Sequence, residues 1–187
     1  MTISPIWLGL FYVCSEIFIS TKLRSKSSSG NEADRGSLRL IWIVVNISVT
    51  CGVLAYIFLP AAAIGAAVSL YWVGFALFVT GLLFRWYSIY YLGRFFTVNV
   101  TVHADHKIID SGPYRHIRHP SYSGNLLAFL GLALTMANYV TVFFLVVPIA
   151  AVFMNRIRIE EAALLAGLGE PYKQYMQRTK RLIPFVY

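Results

Sequence analysis

Five apolar runs separated by short connections leave this chain few ways to fold. They cover residues 3–20, 38–59, 65–92, the stretch after Pro120 to about Ala137, and 139–155. Crossing a bilayer takes about 20 mostly apolar residues per helix. Backbone polar groups in lipid must be satisfied within the segment, so each run is expected to be helical. With 58% hydrophobic and only 13% charged residues, a soluble globular fold is not expected. The expectation is an all-α polytopic membrane protein of five transmembrane helices. Its last two helices form a tight hairpin, joined by Met136-Ala137-Asn138-Tyr139.

The charges support this map. Lys22, Arg24, Lys26, Arg35 and Arg39 follow the first run. Arg94, Lys107, Arg115 and Arg118 follow the third, and Arg156, Arg158, Lys173, Arg178, Lys180 and Arg181 follow the fifth. The connections at Pro60-Ala61-Ala62-Ala63 and at Asn138 carry no charge. Five spans put every basic segment on one side, which the positive-inside rule makes cytoplasmic. The N-terminus is then expected outside and the C-terminus inside. The whole chain, 1–187, is expected to be a single integral membrane domain, with three spans in 1–92 and a loop, hairpin and cytoplasmic helix in 93–187. Nothing about the first run suggests a cleaved signal: it lacks a basic start and a small-residue cleavage site. The net charge of +8 suits anionic lipid headgroups. Nucleic acid is not an expected partner, since no soluble domain offers a face for it. Cys14 and Cys51 lie inside apolar runs and read as small hydrophobes. The Ser-rich segment from Ser25 to Gly30 reads as a flexible surface connection.

Two charges sit inside spans. Arg85 and Glu16 fall at similar depth, and either snorkel to the headgroups or pair with each other. Gly65, Gly74 and Gly81 are spaced to let helices approach closely, within a monomer in the simplest case; no oligomer is required.

The densest chemistry is the segment Gly112-Pro113-Tyr114-Arg115-His116-Ile117-Arg118-His119-Pro120-Ser121-Tyr122-Ser123-Gly124. Ser111-Gly112-Pro113 signals a turn, and Pro120 suits the first position of a helix, with His119 as its cap. Polar and titratable groups crowded where a helix enters lipid point to a binding site. Tyr114 and Tyr122 could stack on a planar ring, although interfacial tyrosines need no site. All four histidines, His103, His106, His116 and His119, lie in or at the end of this third loop. Their spacing lacks a nearby cysteine and differs from the usual i,i+4 helical pair, so no metal is expected. Beyond the fifth run, Arg156 and Glu160 would be neighbours on one face if the helix continues. The hairpin would bring them to the His119-Pro120 turn. Residues from Gly169 to Arg181 read as a short amphipathic helix on the membrane surface.

Arg118-His119-Pro120-Ser121-Tyr122, the apolar hairpin, Arg156 ahead of Glu160-Glu161, Leu164-Leu165, Gly169-Glu170-x-Tyr172, Tyr175 and Leu182-Ile183-Pro184 together resemble the isoprenylcysteine carboxyl methyltransferase family. The resemblance runs over 99–184, and the small size is similar to that of compact prokaryotic members. It implies S-adenosylmethionine as cofactor, held without a G-x-G-x-x-G loop. It implies cofactor contacts at Asn99, His106, Lys107, Ile108, Ile109, Tyr114, His119, Pro120, Ser121, Tyr122 and Glu160, and the acceptor carboxylate at Arg156. Glu161 is the second choice, as a supporting residue. The implied reaction is O-methylation of a lipophilic, isoprenylcysteine-like carboxylate that enters sideways from the inner leaflet. The site faces the cytoplasm, in the inner membrane of a prokaryote or the endoplasmic reticulum of a eukaryote. In a source without protein prenylation, the acceptor would be a small isoprenoid or fatty thioether acid. Two alternatives remain open: a methyltransferase acting on a phospholipid or lipid amine, and a non-enzymatic membrane binding protein carrying haem or metal on its histidines.

Overall fold

The computed structural model describes residues 2–22, 32–65, 67–96, 108–184 and 186. Among the described residues there are six α-helices: α1 (Pro5–Lys22), α2 (Glu32–Phe58), α3 (Ala67–Leu92), α4 (Pro120–Thr135), α5 (Tyr139–Leu168) and α6 (Glu170–Arg178). Short 3-10 turns sit at Pro60–Ala62, Gly93–Phe95 and Gly112–Arg115. Three segments are long and apolar enough to cross a membrane: Gly36–Phe58, Val68–Phe95 and Tyr139–Leu168. The other two expected spans are present as helices, α1 of 18 residues and α4 of only 16.

Helices outrun the apolar runs at two places. α2 begins at Glu32, so Ser37 and Arg39 lie on a helix rather than in a loop. α5 runs on past Asn155 to Leu168. Apolarity marks where a helix meets lipid, whereas its end is set by where backbone hydrogen bonds stop. α5 starts sharply because Asn138 caps it, its Oδ1 accepting from the N–H of Val140 at 3.0 Å and of Thr141 at 3.1 Å. The Asn138 amide also donates to the carbonyl of Leu59 at 3.0 Å. The Ile64 N–H donates to Ala137 O at 2.7 Å. The two uncharged connections therefore meet at one end of the bundle.

Two helix pairs are packed tightly. α3 lies against α4 along Gly74 and Gly81 on one side and Gly124 and Gly131 on the other. A Cβ on Gly81 would stand 2.5 Å from the Ala128 backbone nitrogen, and one on Gly131 would stand 2.3 Å from that of Phe78. Gly65 meets nothing within 4 Å and belongs to no such contact. α2 lies against α5, where Thr141 Oγ1 donates to Gly52 O at 2.8 Å. The core between the pairs is built from Phe78, Leu82, Ala128, Phe129, Leu132, Leu145, Ile149 and Phe153. Outward, Trp7, Phe18, Trp72, Leu83, Phe143 and Val147 are exposed, as lipid-facing side chains would be.

α1 is attached by Leu8 and Tyr12 in the core and by polar bonds. Arg85 on α3 makes a bidentate pair with Glu16, Nε to Oε1 and Nη2 to Oε2, both at 2.7 Å. Its Nη1 reaches the Ser121 carbonyl at 3.3 Å. The pair, rather than snorkelling, is what the fold uses, and Arg85 is 7% exposed. Trp86 Nε1 donates to Ser15 Oγ at 3.0 Å, and the Tyr71 hydroxyl to Ile3 O at 2.8 Å.

Three outcomes are expected. Gly131→Val should destabilise the detergent-solubilised protein by about 1–3 kcal/mol, because backbone on α3 blocks the new side chain. Gly36→Ala, inside α2 with nothing within 4 Å, should instead stabilise by about 0.5–1 kcal/mol. For the ion pair, Glu16→Gln should destabilise the wild type by roughly 3 kcal/mol and an Arg85→Gln background by far less. Additive effects in that double-mutant cycle would mean the pair is not coupled.

Candidate active site

The turn before α4 is shaped by its glycine. Gly112 has φ +54°, and a Cβ there would lie 2.5 Å from the Tyr91 ring. Pro113 follows, and Tyr114 is buried with its hydroxyl donating to Ser88 O at 3.1 Å. Burial, with the Glu160 carboxylate as the next cause, holds the Tyr114 phenol well above the usual tyrosine range. It therefore stays a neutral donor. The Tyr175 hydroxyl of α6 donates to Tyr114 O at 2.7 Å.

The C-terminal segment docks on the same turn as one rung of a sheet would. Arg118 N–H donates to Lys180 O at 2.7 Å, His119 N–H to Arg181 O at 3.0 Å, and Lys180 N–H to His116 O at 3.0 Å. Ser123 Oγ adds a bond to Leu182 O at 2.6 Å. Pro120 occupies the first turn of α4 as expected, and His119 precedes it. The His119 side chain, however, makes no cap. It turns instead to Glu161, with Nε2 3.3 Å from Oε1. His119 is the N-cap residue as expected, its carbonyl accepting from the N–H of Tyr122 and Ser123, while its ring is turned to the buried carboxylate.

Glu161 is 3% exposed and ringed by cations. Arg118 Nε stands 2.8 Å from Oε1, and Arg181 Nε 2.9 Å and Nη2 2.8 Å from Oε2. Arg118 also donates to the carbonyls of Met176 and Thr179. Both Glu161 oxygens are therefore used in tying α5, the site turn and the tail together. Its neighbour Glu160 is partly exposed and lines a cavity, with Tyr122 donating to its Oε2 at 3.3 Å. The two adjacent carboxylates thus divide into one available to a ligand and one consumed by the scaffold.

The cavity holds about 1480 Å³ of atom-free space, its open mouth included. At the basic end its walls are Ile108, Ile109, Tyr114, Arg118, His119, Ser121, Tyr122 and Glu160, with Tyr172 and Tyr175 of α6. Toward the bundle interior they become Tyr12, Glu16 and Ile19 of α1, Leu38, Ile41, Trp42 and Val45 of α2, and Asn125 and Phe153. α6 thus turns its buried tyrosines onto the site, leaving Lys173 and Arg178 exposed. Burial, then the carboxylates of Glu160 and Glu161, raise the Tyr172 phenol above its ordinary range as well.

Seven of the residues expected at the cofactor come together here: Ile108, Ile109, Tyr114, His119, Ser121, Tyr122 and Glu160. Pro120 is fully buried and does not line the cavity. Asn99, His106 and Lys107, with His103, lie outside the described residues. Arg156 is 2% exposed and is not part of the cavity surface. It lies behind Tyr122, to whose hydroxyl it is hydrogen-bonded. Its Nη1 donates to Ser37 Oγ on α2 at 2.5 Å. Sequence reasoning missed the contributions of α1, α2 and α6, and Asn125. Among the described residues no three His, Cys, Asp or Glu side chains come close enough to hold a metal ion.

Comparison with known proteins bears on this geometry directly. Residues 72–166 match the model of the isoprenylcysteine carboxyl methyltransferase (ICMT) family, which is half of the chain. The chain belongs to the ICMT family. It is 31% identical over 122 residues to a probable protein-S-isoprenylcysteine O-methyltransferase of Oryza sativa subsp. indica, covering 62% of this chain and 64% of that one. A protein-S-isoprenylcysteine O-methyltransferase of Dictyostelium discoideum is 26% identical over 178 residues, covering 94% and 72%. A solved structure of the eukaryotic intramembrane Ras methyltransferase ICMT superposes with TM-score 0.59 at 27% identity, covering 78% of this chain and 52% of that one. The chain therefore spans less than two thirds of the rice relative and about half of the solved one. The family match takes in the turn, the hairpin and Glu160-Glu161, and starts well before Asn99.

Glu161→Gln should loosen the docked tail. Trypsin cleavage after Lys180 and Arg181, followed by mass spectrometry, is expected to accelerate at least about tenfold, the equivalent of roughly 1.4 kcal/mol. Glu160→Gln should leave that cleavage rate as in the wild type.

Proposed function

We propose that this chain transfers a methyl group from S-adenosylmethionine to the carboxylate of a lipophilic, isoprenylcysteine-like acceptor at the cytoplasmic face of a membrane. The observation that carries the reading is the single cavity, which joins a polar end at Glu160, Tyr122 and His119 to an apolar wall on α1 and α2. A charged water-soluble cofactor suits the first part, and a lipid chain suits the second. Five helices would cross the bilayer, α1 and α4 among them, with the basic end of the bundle inside. The N-terminus would be outside, and the whole chain would form one integral membrane unit. Its membrane would be the inner membrane of a prokaryote or the endoplasmic reticulum of a eukaryote. The exposed Lys173 and Arg178 would meet anionic headgroups.

The residues present fit the cofactor. Glu160 is the available carboxylate for its hydroxyl or ammonium groups, and the tyrosine faces suit a sulfonium cation. Ile108 and Ile109 offer an apolar bed for a planar ring, beside Tyr114. When bound, S-adenosylmethionine supplies a methyl group already activated by positive sulfur. The acceptor carboxylate is ionised at neutral pH, so no general base is needed. The protein's task is alignment, which can supply about 7–11 kcal/mol. Arg156 acts from behind Tyr122. Its charge offsets the cost of bringing an anion next to Glu160, and it orients the phenol toward the carboxylate. The apolar residues Ile19, Leu38, Ile41, Trp42 and Val45 line the way by which the acceptor enters between α1 and α2 from the inner leaflet.

Calorimetric titration of the detergent-purified protein with S-adenosylhomocysteine tests the cofactor site. Micromolar binding is expected, weakened at least about tenfold, or roughly 1.4 kcal/mol, by Glu160→Ala and by His119→Ala. No binding by well-folded wild type would overturn the reading. Arg156→Lys should lower methyl transfer to an S-farnesyl acid at least about tenfold, since ammonium cannot reproduce the planar guanidinium. Full activity of Arg156→Ala would point to a lipid amine as acceptor instead.

A further inference from the structure

Asn125 carries a polar group that no other described residue partners. Its side-chain oxygen accepts from the Tyr12 hydroxyl at 2.8 Å. Its amide nitrogen has no hydrogen-bond partner among the described residues, although Asn125 is only 3% exposed. The nitrogen is not sealed in packing either, because the residue lines the cavity. The charged groups beside it are already engaged: both Glu16 oxygens take Arg85, and Arg85 Nη1 takes the Ser121 carbonyl. Buried polar groups ordinarily find a partner, so a ligand that offers an acceptor atom is what this position lacks.

The position on α4 says which part of a ligand that is. Asn125 lies three residues beyond Tyr122, on the same helical face, at a rise of about 1.5 Å per residue. The Tyr122 hydroxyl touches Glu160 and Arg156, where the acceptor carboxylate is read to sit. The Asn125 nitrogen therefore meets the acceptor a few bonds from its carboxylate, on the membrane side. Tyr12 holds the amide oxygen, so the free group is a donor. A carbonyl oxygen is a strong acceptor for it, whereas a thioether sulfur is a weak one.

We propose that Asn125, oriented by Tyr12, is a specificity-determining residue that donates to the carbonyl oxygen of a secondary amide borne on the carbon next to the acceptor carboxylate. The preferred acceptor is then an N-acylated amino acid rather than a plain lipophilic acid. Such an amide belongs equally to a polypeptide C-terminus and to an N-acyl amino-acid lipid. The inference rests on the methyl-transfer reading.

Two probe acids differ only in that group: N-acetyl-S-farnesylcysteine and S-farnesyl-3-thiopropionic acid. Wild type should methylate the first with kcat/KM at least about tenfold higher, as for a hydrogen bond worth roughly 1.4 kcal/mol. Asn125→Leu should bring the two to near equality, mainly through the KM of the amide-bearing acid. Tyr12→Phe, which frees the amide to turn, should shrink the ratio about threefold. S-adenosylhomocysteine affinity is the folding control for each variant, and Asn125→Ser replaces Asn125→Leu if the latter does not fold. A farnesylated tetrapeptide and N-palmitoyl-S-farnesylcysteine then separate the two sources. Preference for either over the thiopropionate supports the amide contact. Turnover of both probe acids without preference, or a preference that survives Asn125→Leu, overturns the contact alone. Binding of the cofactor product with turnover of neither acid overturns the acceptor reading and the contact with it.

Discussion

Backbone-to-backbone approach of α3 and α4 is the constraint from which the rest follows. Lipid gives no hydrophobic drive for one helix to prefer another, so close packing of small residues carries the association. Gly74 and Gly81 against Gly131 and Gly124 bring the two backbones to a separation at which no Cβ fits. That closeness puts Arg85 beside the Ser121 carbonyl and Ser88 O beneath the Tyr114 hydroxyl. The turn that carries the site is therefore positioned by a seam of glycines deeper in the bundle.

One half-buried and one buried carboxylate complete the frame. Glu16 holds α1 to α3 through one bidentate arginine. Glu161 gathers Arg118, His119 and Arg181, and so locks α5, the site turn and the tail to each other. Buried ion pairs add little net stability compared with apolar packing, but losing one partner is costly. In a bundle whose apolar surfaces are interchangeable, such pairs specify which helices meet. They also free the adjacent groups for chemistry: with Glu161 consumed, Glu160 is the carboxylate left facing the cavity. The cationic counterpart, Arg156, stays one side chain behind the surface, against Ser37.

The cavity takes its character from this arrangement. Tyrosines from the turn, α4 and α6 surround its polar end, and aliphatic side chains of α1 and α2 line the remainder. Two ligands of opposite solubility can meet there because α1 and α2, packed on α4 and α5 respectively, make little contact with each other. The division between a firm wall and an open one is what lets a bilayer-borne acceptor reach a group supplied from water.

Much of this was legible in the residue order. The apolar runs sufficed for an all-α fold with a helix at each of the five runs, three of them long and apolar enough to cross a membrane. The i,i+4 relation of Arg156 and Glu160 and the proline-started helix at Pro120 follow from local geometry, and local geometry is what a sequence displays. Helix ends were less legible, since α2 and α5 continue beyond their apolar stretches. Other facts were decided only by the tertiary fold. Tyr12 and Asn125 are 113 residues apart and share no period or motif. Nothing in the adjacent Glu160-Glu161 says which one faces the cavity, because that depends on where Arg118, His119 and Arg181 from two other segments arrive. The depth of Arg156 likewise depends on α2 closing over it. Periodicity carries the shape of each helix, but the pairing of distant polar groups depends on how closely the helices pack.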